Sequence, residues 1–273
     1  MKRTTGSIAY DLIDPTGNIT ILVTTPVEET DRARIATDLM KKERSCEQVG
    51  YVVGRSDEGI DIAMAAGEFC GNAVMSAASL YCDDTGMAPG TDRTVMVTCT
   101  GCDDTLQVYI TRKTDQDPYH IYGGRVRMPL PAKISNHTFE YDGNSYTLPL
   151  AEFDGISHAI ATAEELSLPD RSIEDAARKW CDELDADCFG IMVLEDTECT
   201  KDECNLTIRP VVYAPSVGTC YWESSCASGT TAVFVYLKGE KGVGRITANE
   251  PGGVLSVSAD ESGYPLLEGN VKI

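Results

Sequence analysis

The sequence predicts an α+β protein of two similar halves, each a set of short strands around one buried helix. Three observations support this prediction. Two segments of small and apolar residues, 73–80 and 230–237, lack the polar stripe of a surface helix, so each is expected to be buried on every side. Short strand patterns flank both segments. The order of elements around the first segment is repeated around the second.

The first half is expected to span residues 1–117. The helix predicted before its buried segment is amphipathic, with an apolar face of Ile35, Ala36, Leu39 and Met40. The predicted elements are two strands within 7–24 around a turn at 14–17, that helix at about 30–43, strands at 49–53 and 60–64, the first buried helix, and strands at 95–99 and 105–110.

The second half is expected to span residues 118–263, with residues 115–118 as the linker between the halves. Its amphipathic helix is predicted to follow Ser172 as N-cap and to bury Trp180 and its neighbours. The predicted elements are strands within 124–161, that helix at about 173–184, strands at 189–194 and 206–214, the second buried helix, and strands at 244–248 and 254–258.

Charge and hydropathy exclude several classes of partner. The chain has 273 residues, of which 42% are hydrophobic, and its net charge is −20 because 43 acidic residues outnumber 23 basic ones. Nucleic acid and anionic membrane surfaces would be repelled. No segment approaches the roughly 20 apolar residues of a membrane span, and residues 1–11 lack the apolar core of a secretory signal. We therefore expect a cytoplasmic protein with a small-molecule partner.

The eleven cysteines leave several interpretations open. An odd number without a secretory signal argues against a disulfide framework. Cys99 and Cys102 have the spacing of a zinc knuckle, and Cys199 and Cys204 could complete four ligands, but the 96 residues between the pairs exceed what compact zinc motifs use. A zinc-binding or redox-sensing protein remains an alternative. Most of the cysteines are expected to be small buried hydrophobes.

Each buried helix follows a cysteine and a turn of small polar residues, at Cys70–Asn72 and at Cys226–Gly229. A helix N-terminus presents N–H groups and a positive dipole end, which together bind an anion. A cysteine there has a lowered pKa. One such cysteine is usually a packing residue, but two at equivalent positions of two equivalent halves are hard to explain by packing. We predict that Cys70 and Cys226 are a catalytic pair for a carbon acid bearing a carboxylate.

These residues resemble the motifs of a known family. Glu68–Ala73 is similar to the first motif, and Ser225–Thr230 to the second, of the cofactor-independent racemases and epimerases typified by diaminopimelate epimerase. Within that group the chain most resembles the histidine racemases of staphylopine-type metallophore biosynthesis. The likeness covers nearly the whole chain in motif order, with further similar segments at 15–23, 46–50, 222–226 and 251–253.

The resemblance implies a fold and a mechanism. The fold is two pseudo-symmetric half-domains, each a mixed β-barrel around a central helix, with the active site between them and the final strand, within 264–273, returning to the first half. One thiolate removes the α-proton of an amino acid and the opposite thiol protonates the other face. The resemblance implies no cofactor and no metal. Whether the chain forms a homodimer is left open.

Substrate-binding residues are carried over from the resemblance one at a time. The helix starts after the two cysteines supply the carboxylate and ammonium cradle, Asn18 and His158 stand where the family has an asparagine and a histidine, and two glutamates are candidates for the ammonium or the side chain. The set is Asn18, Glu47, Gly71, Asn72, His158, Glu223, Ala227, Ser228, Gly229 and Thr230.

Departures from the epimerase pattern favour histidine as the substrate. The stretch 212–215 has no arginine to hold a distal carboxylate, which makes diaminopimelate an unsuitable substrate. An imidazole needs an aromatic wall, for which Tyr213 or Trp222 is a candidate, and an acceptor, for which Glu47 or Glu223 is a candidate. Another amino acid is the first alternative. A one-base isomerase of the phenazine-biosynthesis type and a catalytically silent binding protein are the others.

Overall fold

The structure, a computed structural model, describes residues 2–216 and 218–273 and contains two compact units. Unit 1 comprises Met1–Arg127 and Leu267–Ile273, and unit 2 comprises Met128–Leu266. No helix among the described residues is both long enough and apolar enough to cross a membrane.

Unit 1 is built mainly of strands. Its elements are β1 (Lys2–Thr5), β2 (Ile8–Pro15), β3 (Thr20–Val23), α1 (Glu29–Lys42), β4 (Gln48–Arg55), β5 (Gly59–Met64), α2 (Gly71–Asp84), β6 (Asp92–Cys99), β7 (Cys102–Arg112), β8 (Ile121–Arg127) and the C-terminal strand β17 (Pro265–Lys272). Strands β2 to β8 pair in order, with β3–β4 and β5–β6 parallel and the other neighbours antiparallel.

Strand β17 closes this ring of strands, because it pairs with β8 on one side and with β2 on the other. The result is a closed eight-stranded barrel with β1 added outside the ring, against β2. Helix α2 packs against six of the ring strands, and all its residues from Gly71 to Cys82 are buried. The sequence predicts that this helix is buried on every side. Its small side chains allow it to lie among the barrel strands.

Unit 2 repeats the design. Its elements are β9 (Lys133–Tyr141), β10 (Asn144–Phe153), β11 (Ile156–Thr162), α3 (Ala163–Leu166), α4 (Asp170–Leu184), β12 (Phe189–Cys199), β13 (Glu203–Ala214), β14 (Thr219–Trp222), α5 (Ala227–Lys241), β15 (Arg245–Glu250) and β16 (Gly253–Ala259).

The pairing pattern of β10–β11–β12–β13–β15–β16 is the pattern of β2–β3–β4–β5–β6–β7. Both alternate antiparallel and parallel neighbours in the same sequence. In both, one amphipathic helix lies between the strands of the first parallel pair and the buried helix between those of the second. Helix α5 packs against strands β10, β11, β12, β15 and β16. The predicted repeat of architecture is therefore confirmed at the level of topology.

Alternation along β12 divides its side chains between two helices. Phe189, Ile191 and Val193 share one core with Trp180 of α4. Met192 points the other way, and its sulfur lies so close to Gly229 of α5 that a Cβ there would overlap it. The sheet of unit 2 thus has an α4 face and an α5 face.

The boundary between the units differs from the prediction. The linker expected at 115–118 is a connection within unit 1, since β8 follows it and pairs with β7 from Arg112↔Tyr122 onward. The break lies between Arg127 and Met128, not after Asp117, and the returning segment begins at Leu267.

Three further details correct the sequence analysis. Helix α4 begins at Asp170 after Pro169, so Ser172 lies inside the helix and is not its N-cap; the fixed backbone of proline suits a helix start. The short elements β1, α3 and β14 were not predicted. A disulfide joins Cys199 and Cys204 across the β12–β13 hairpin, where no disulfide was expected.

Candidate functional site

Cys70 is the N-cap residue of α2. Its backbone is extended, and its sulfur accepts a hydrogen bond from the backbone N–H of Ala73 at 3.4 Å. The thiol donates to Oε1 of Gln48 at 2.8 Å. Gly71 and Asn72 are the first two residues of α2, so their N–H groups lie at the positive end of the helix dipole.

A chain of hydrogen bonds leads from Cys70 back to the β2–β3 turn. Nε2 of Gln48 donates to the Thr20 hydroxyl at 2.7 Å, and that hydroxyl donates to the carbonyl of Asn18 at 3.1 Å. The parallel pairing of β3 with β4 sets Thr20 opposite Gln48, so the residues just before the two strands are also neighbours. Nδ2 of Asn18 accordingly donates to the Glu47 carboxylate at 2.8 Å.

Cys226 holds the equivalent N-cap position on α5 and is buried. Its sulfur lies 3.7 Å from the Ser228 hydroxyl. Burial raises the pKa of the Cys226 thiol well above its usual range, and the charges of Glu223 and Glu250 raise it further, although hydrogen bonds from Gly229 and Ser228 oppose the shift. Burial and these charges favour the neutral thiol, so the lowered pKa predicted for a cysteine at this helix start is wrong for Cys226 in the free protein.

His158 lies behind Ser228. Its Nε2 is 2.9 Å from the Ser228 hydroxyl, and its ring is fully buried. Burial lowers the pKa of His158 to about 3, so the imidazole is neutral at physiological pH. Gly190 makes room for the ring, since a Cβ there would lie 2.5 Å from Nδ1. In this position the histidine orients Ser228, which in turn contacts the Cys226 sulfur.

We expect the His158 ring to stay neutral over the whole range from about pH 5 to about pH 8 in which an ordinary histidine titrates. Burial without a charged partner disfavours the imidazolium. Ring carbon–proton correlations in NMR spectra test this, with His158→Gln used to assign the signal. A His158 signal that moves with a midpoint near pH 6.5, the ordinary histidine value, would contradict the structural assignment.

Most of the residues named from the sequence gather at the two helix starts. In unit 1 these are Cys70, Gly71 and Asn72, with Asn18 hydrogen-bonded to Glu47 nearby along the β3–β4 edge. In unit 2, Cys226, Ala227, Ser228, Gly229 and Thr230 form the start of α5, His158 contacts Ser228, and the charge of Glu223 acts on Cys226.

Two of these residues have inward-directed side chains. The Thr230 hydroxyl contacts the carbonyl of Cys226 and the carboxyl group of Glu250, and the His158 ring is fully buried. Both residues therefore support the α5 start from inside unit 2.

The aromatic wall expected from Tyr213 or Trp222 is not at the α5 face. Both rings pack against the α4 core of unit 2. The indole N–H of Trp222 donates to Glu174 at 2.8 Å, and Arg209 stacks over the ring. Arg178 likewise stacks over Tyr213. Strand alternation sends these side chains to the α4 face, whereas the α5 face carries His158 and Met192.

Two supporting residues were missed. The Gln48 side chain accepts a hydrogen bond from the Cys70 thiol. The Glu250 side chain accepts one from the backbone N–H of Cys226. Gln48 falls inside the similar segment 46–50, and Glu250 directly precedes the similar segment 251–253. The motifs themselves were the available signal for both residues.

The zinc alternative has no donor geometry to support it. Across residues 2–216 and 218–273, no group of three or more His, Cys, Asp or Glu side chains is placed to hold a metal ion. Cys199 and Cys204 are joined to each other, and Cys99 is buried opposite Cys102 in the β6–β7 hairpin.

Solved structures share this fold. A hydroxyproline epimerase from Agrobacterium vitis, with bound trans-4-hydroxy-L-proline, aligns with a TM-score of 0.66 at 12% identity, covering 97% of this chain and 90% of that one. A phenazine biosynthesis PhzF family protein from Enterococcus faecalis aligns with a TM-score of 0.56 at 14% identity, covering 99% and 96% of the two chains. These similarities confirm the predicted fold class.

Sequence comparison is more specific. A histidine racemase of Fusobacterium nucleatum subsp. nucleatum is 31% identical over 265 residues, covering 96% of this chain and 92% of the relative. A histidine racemase of Staphylococcus aureus is 26% identical over 261 residues, covering 92% and 88%. A family model described as the histidine racemase CntK N-terminal domain matches residues 7–273. Full-length similarity at this level, together with the match of the family model, shows that the chain belongs to the histidine racemase family.

Proposed function

We propose that this chain interconverts L- and D-histidine without a cofactor, with Cys70 and Cys226 as the two acid–base groups. The observation that carries the proposal is the equivalent placement of the two thiols. Each is the N-cap residue of a buried helix, in two units with the same strand pairing pattern. In a two-base racemisation each group must act as proton acceptor for one enantiomer and as proton donor for the other, because the reverse reaction exchanges their roles, and two equivalent thiols meet this requirement.

The proton balance is simple. One cysteine, as thiolate, takes the α-proton of histidine and becomes a thiol, which leaves a planar carbanion conjugated with the carboxylate. The other cysteine, as thiol, gives its proton to the opposite face and becomes a thiolate. The enzyme ends with the protonation states of the two cysteines exchanged, ready for the product enantiomer. No electrons are transferred, so the scheme needs no oxidant or reductant.

The charge that develops on the substrate carboxylate requires hydrogen-bond donors. The first-turn N–H groups of α2, at Gly71 and Asn72, and of α5, at Ala227 and Ser228, are the candidates, and both helix dipoles favour an anion there. In the free enzyme burial and the charge of Glu223 favour the thiol form of Cys226. A substrate ammonium group bound at Glu223 would add a positive charge there and lower the energy of the Cys226 thiolate.

Two carboxylates are proposed to select the substrate. Glu223 acts electrostatically on Cys226 and is assigned to the ammonium group. Glu47, which Asn18 holds through a 2.8 Å hydrogen bond, is assigned to the imidazole N–H. An acceptor held in this way suits a ring donor at a fixed position, and residues 212–215 offer no cation to a distal carboxylate.

We expect histidine to racemise faster than any aliphatic, acidic or long basic amino acid, by roughly tenfold to a hundredfold, because other side chains would leave the polar group at Glu47 without its partner. Chiral chromatography of an L-amino-acid panel, incubated with the purified protein alone, measures this. Glu47→Gln is the informative variant, since it keeps an acceptor but removes the charge, and it should raise the KM for histidine.

Two controls separate the alternatives. Total metal analysis of the active sample tests the zinc-binding interpretation, which predicts stoichiometric metal. The D-histidine reaction run in parallel tests for true racemisation, since both directions must reach the same equimolar mixture. A panel in which histidine is inert while another amino acid turns over would reject the substrate assignment and leave the two-thiol scheme in place.

A further inference from the structure

Glu250 ends β15 with its carboxyl group against the first turn of α5. Its Oε2 accepts a hydrogen bond from the backbone N–H of Cys226 at 2.7 Å. Its Oε1 lies within hydrogen-bond distance of the Thr230 hydroxyl. The side chain is buried. The Glu250 carboxyl group is therefore shielded from water, and it is hydrogen-bonded to the residue that carries one of the two thiols.

The single hydrogen of the Thr230 hydroxyl determines which protonation state of Glu250 fits these contacts. The Thr230 hydroxyl has one hydrogen but two oxygen neighbours, the Glu250 carboxyl group and the carbonyl of Cys226 at 2.8 Å. If Glu250 is ionised, Thr230 must donate to it and gives up its bond to the Cys226 carbonyl. If Glu250 is protonated, it donates to Thr230, and Thr230 donates onward to the carbonyl. Only the protonated form satisfies every contact.

We propose that Glu250 is a positioning residue for Cys226 and acts as a neutral carboxylic acid, closing a ring of hydrogen bonds through Thr230 around the backbone of Cys226. The N–H of Cys226 donates into this ring and its carbonyl accepts from it, so the N-cap backbone is fixed from both sides. The proposal rests on the proposed function in taking Cys226 as an acid–base group of the reaction.

Neutrality also matters to the neighbouring sulfur. The charged and titratable groups that act on the Cys226 thiol are Glu223 and Glu250, and both raise its pKa. Burial raises the pKa of Glu250 to about 8, against the opposing hydrogen bonds from Thr230 and Cys226. Below that pH one of the two negative charges beside the sulfur is absent. Above it, Glu250 ionises and the Cys226 thiolate becomes harder to form.

Glu250→Gln tests the assignment, because a glutamine amide can accept from the Cys226 N–H and donate to Thr230, as a protonated acid does. Glu250→Met fills a similar volume without either hydrogen bond. Glu240→Gln removes a charge from the exposed end of α5 and is the matched control. The measurements are kcat and KM against pH and, separately, the ultraviolet thiolate absorbance of each protein minus that of its Cys226→Ser counterpart.

The expected results distinguish a positioning role from a structural one. At about pH 7, Glu250→Gln keeps kcat within about threefold of wild type, whereas Glu250→Met loses tenfold or more in kcat with a smaller change in KM. The Cys226 thiolate of Glu250→Gln forms at lower pH than in wild type, and Glu240→Gln leaves that pH in place. A folded Glu250→Gln as impaired as Glu250→Met would overturn the proposal, as would an unshifted thiolate titration.

If the proposed function is wrong, the same measurements give a different pattern of results. A wild-type protein that racemises no amino acid would reject the activity, yet the thiolate titrations would still show whether the Glu250 charge acts on Cys226. An active wild type with unshifted titration in Glu250→Gln would reject the role of Glu250 alone.

Discussion

Racemisation of histidine should fall by roughly a thousandfold or more when either Cys70 or Cys226 is replaced by serine, because a serine hydroxyl is too weak an acid to exchange a proton at neutral pH. Cys102→Ser is the matched control, since Cys102 is another half-buried cysteine of unit 1, and its thiol contacts the carbonyl of Asp104. Its rate should stay near that of wild type. Chiral chromatography of both enantiomers gives the rates.

Deuterated water makes the same variants more informative. Wild type should place solvent deuterium at Cα of the inverted product. Each single serine variant retains one thiol, which can still exchange the α-proton of the enantiomer it faces without inverting it. Opposite enantiomers should therefore lose their α-proton in Cys70→Ser and Cys226→Ser. Retained α-protium in the wild-type product would instead indicate a single base that carries the proton across.

Gly101→Ala should destabilise unit 1 by about 3 kcal/mol or more, from backbone strain together with overlap. Gly101 has a φ of +70°, and a Cβ there would lie 2.3 Å from the backbone nitrogen of Phe69 and 2.7 Å from the carbonyl carbon of Glu68. These backbone atoms belong to the segment that leads into Cys70. Activity should therefore fall together with stability.

Gly67→Ala is the matched control for this effect. Gly67 has a φ of +82°, but a Cβ at this position would meet no atom within 4 Å, so only the backbone penalty of about 1–2 kcal/mol applies. Urea unfolding followed by fluorescence and circular dichroism compares the two variants. Equal losses of unfolding free energy would show that the close approach of Gly101 to Phe69 does not exist in solution.

The sequence was sufficient for the parts of the fold that follow from local pattern. Helices α2 and α5 could be predicted because a helix without a polar face must be buried. The predicted starts of these helices then placed the two cysteines at their N-termini. The repeated order of strands predicted two units of one design. Family motifs then restricted the chemistry to proton transfer at an amino-acid α-carbon.

The missing parts depend on contacts between distant segments. Gln48 reaches Cys70 because β3 and β4 pair in parallel, and Glu250 reaches Cys226 because β15 ends beside the start of α5. Neither arrangement is visible in a local window. The placement of Trp222 failed for a related reason. Alternation shows that neighbouring side chains point to opposite faces, but not which face each helix covers.

Strand β17 makes unit 1 discontinuous in sequence, and this has a consequence for how the chain reaches its native state. Val271 pairs with Pro15, so the N-terminal barrel lacks its closing strand until Val271 has left the ribosome. Unit 2 is continuous from Met128 to Leu266 and can fold earlier during synthesis. Until β17 is in place, β8 and the end of β2 at Asp14 and Pro15 are open edges, at which a nascent chain is exposed to mispairing.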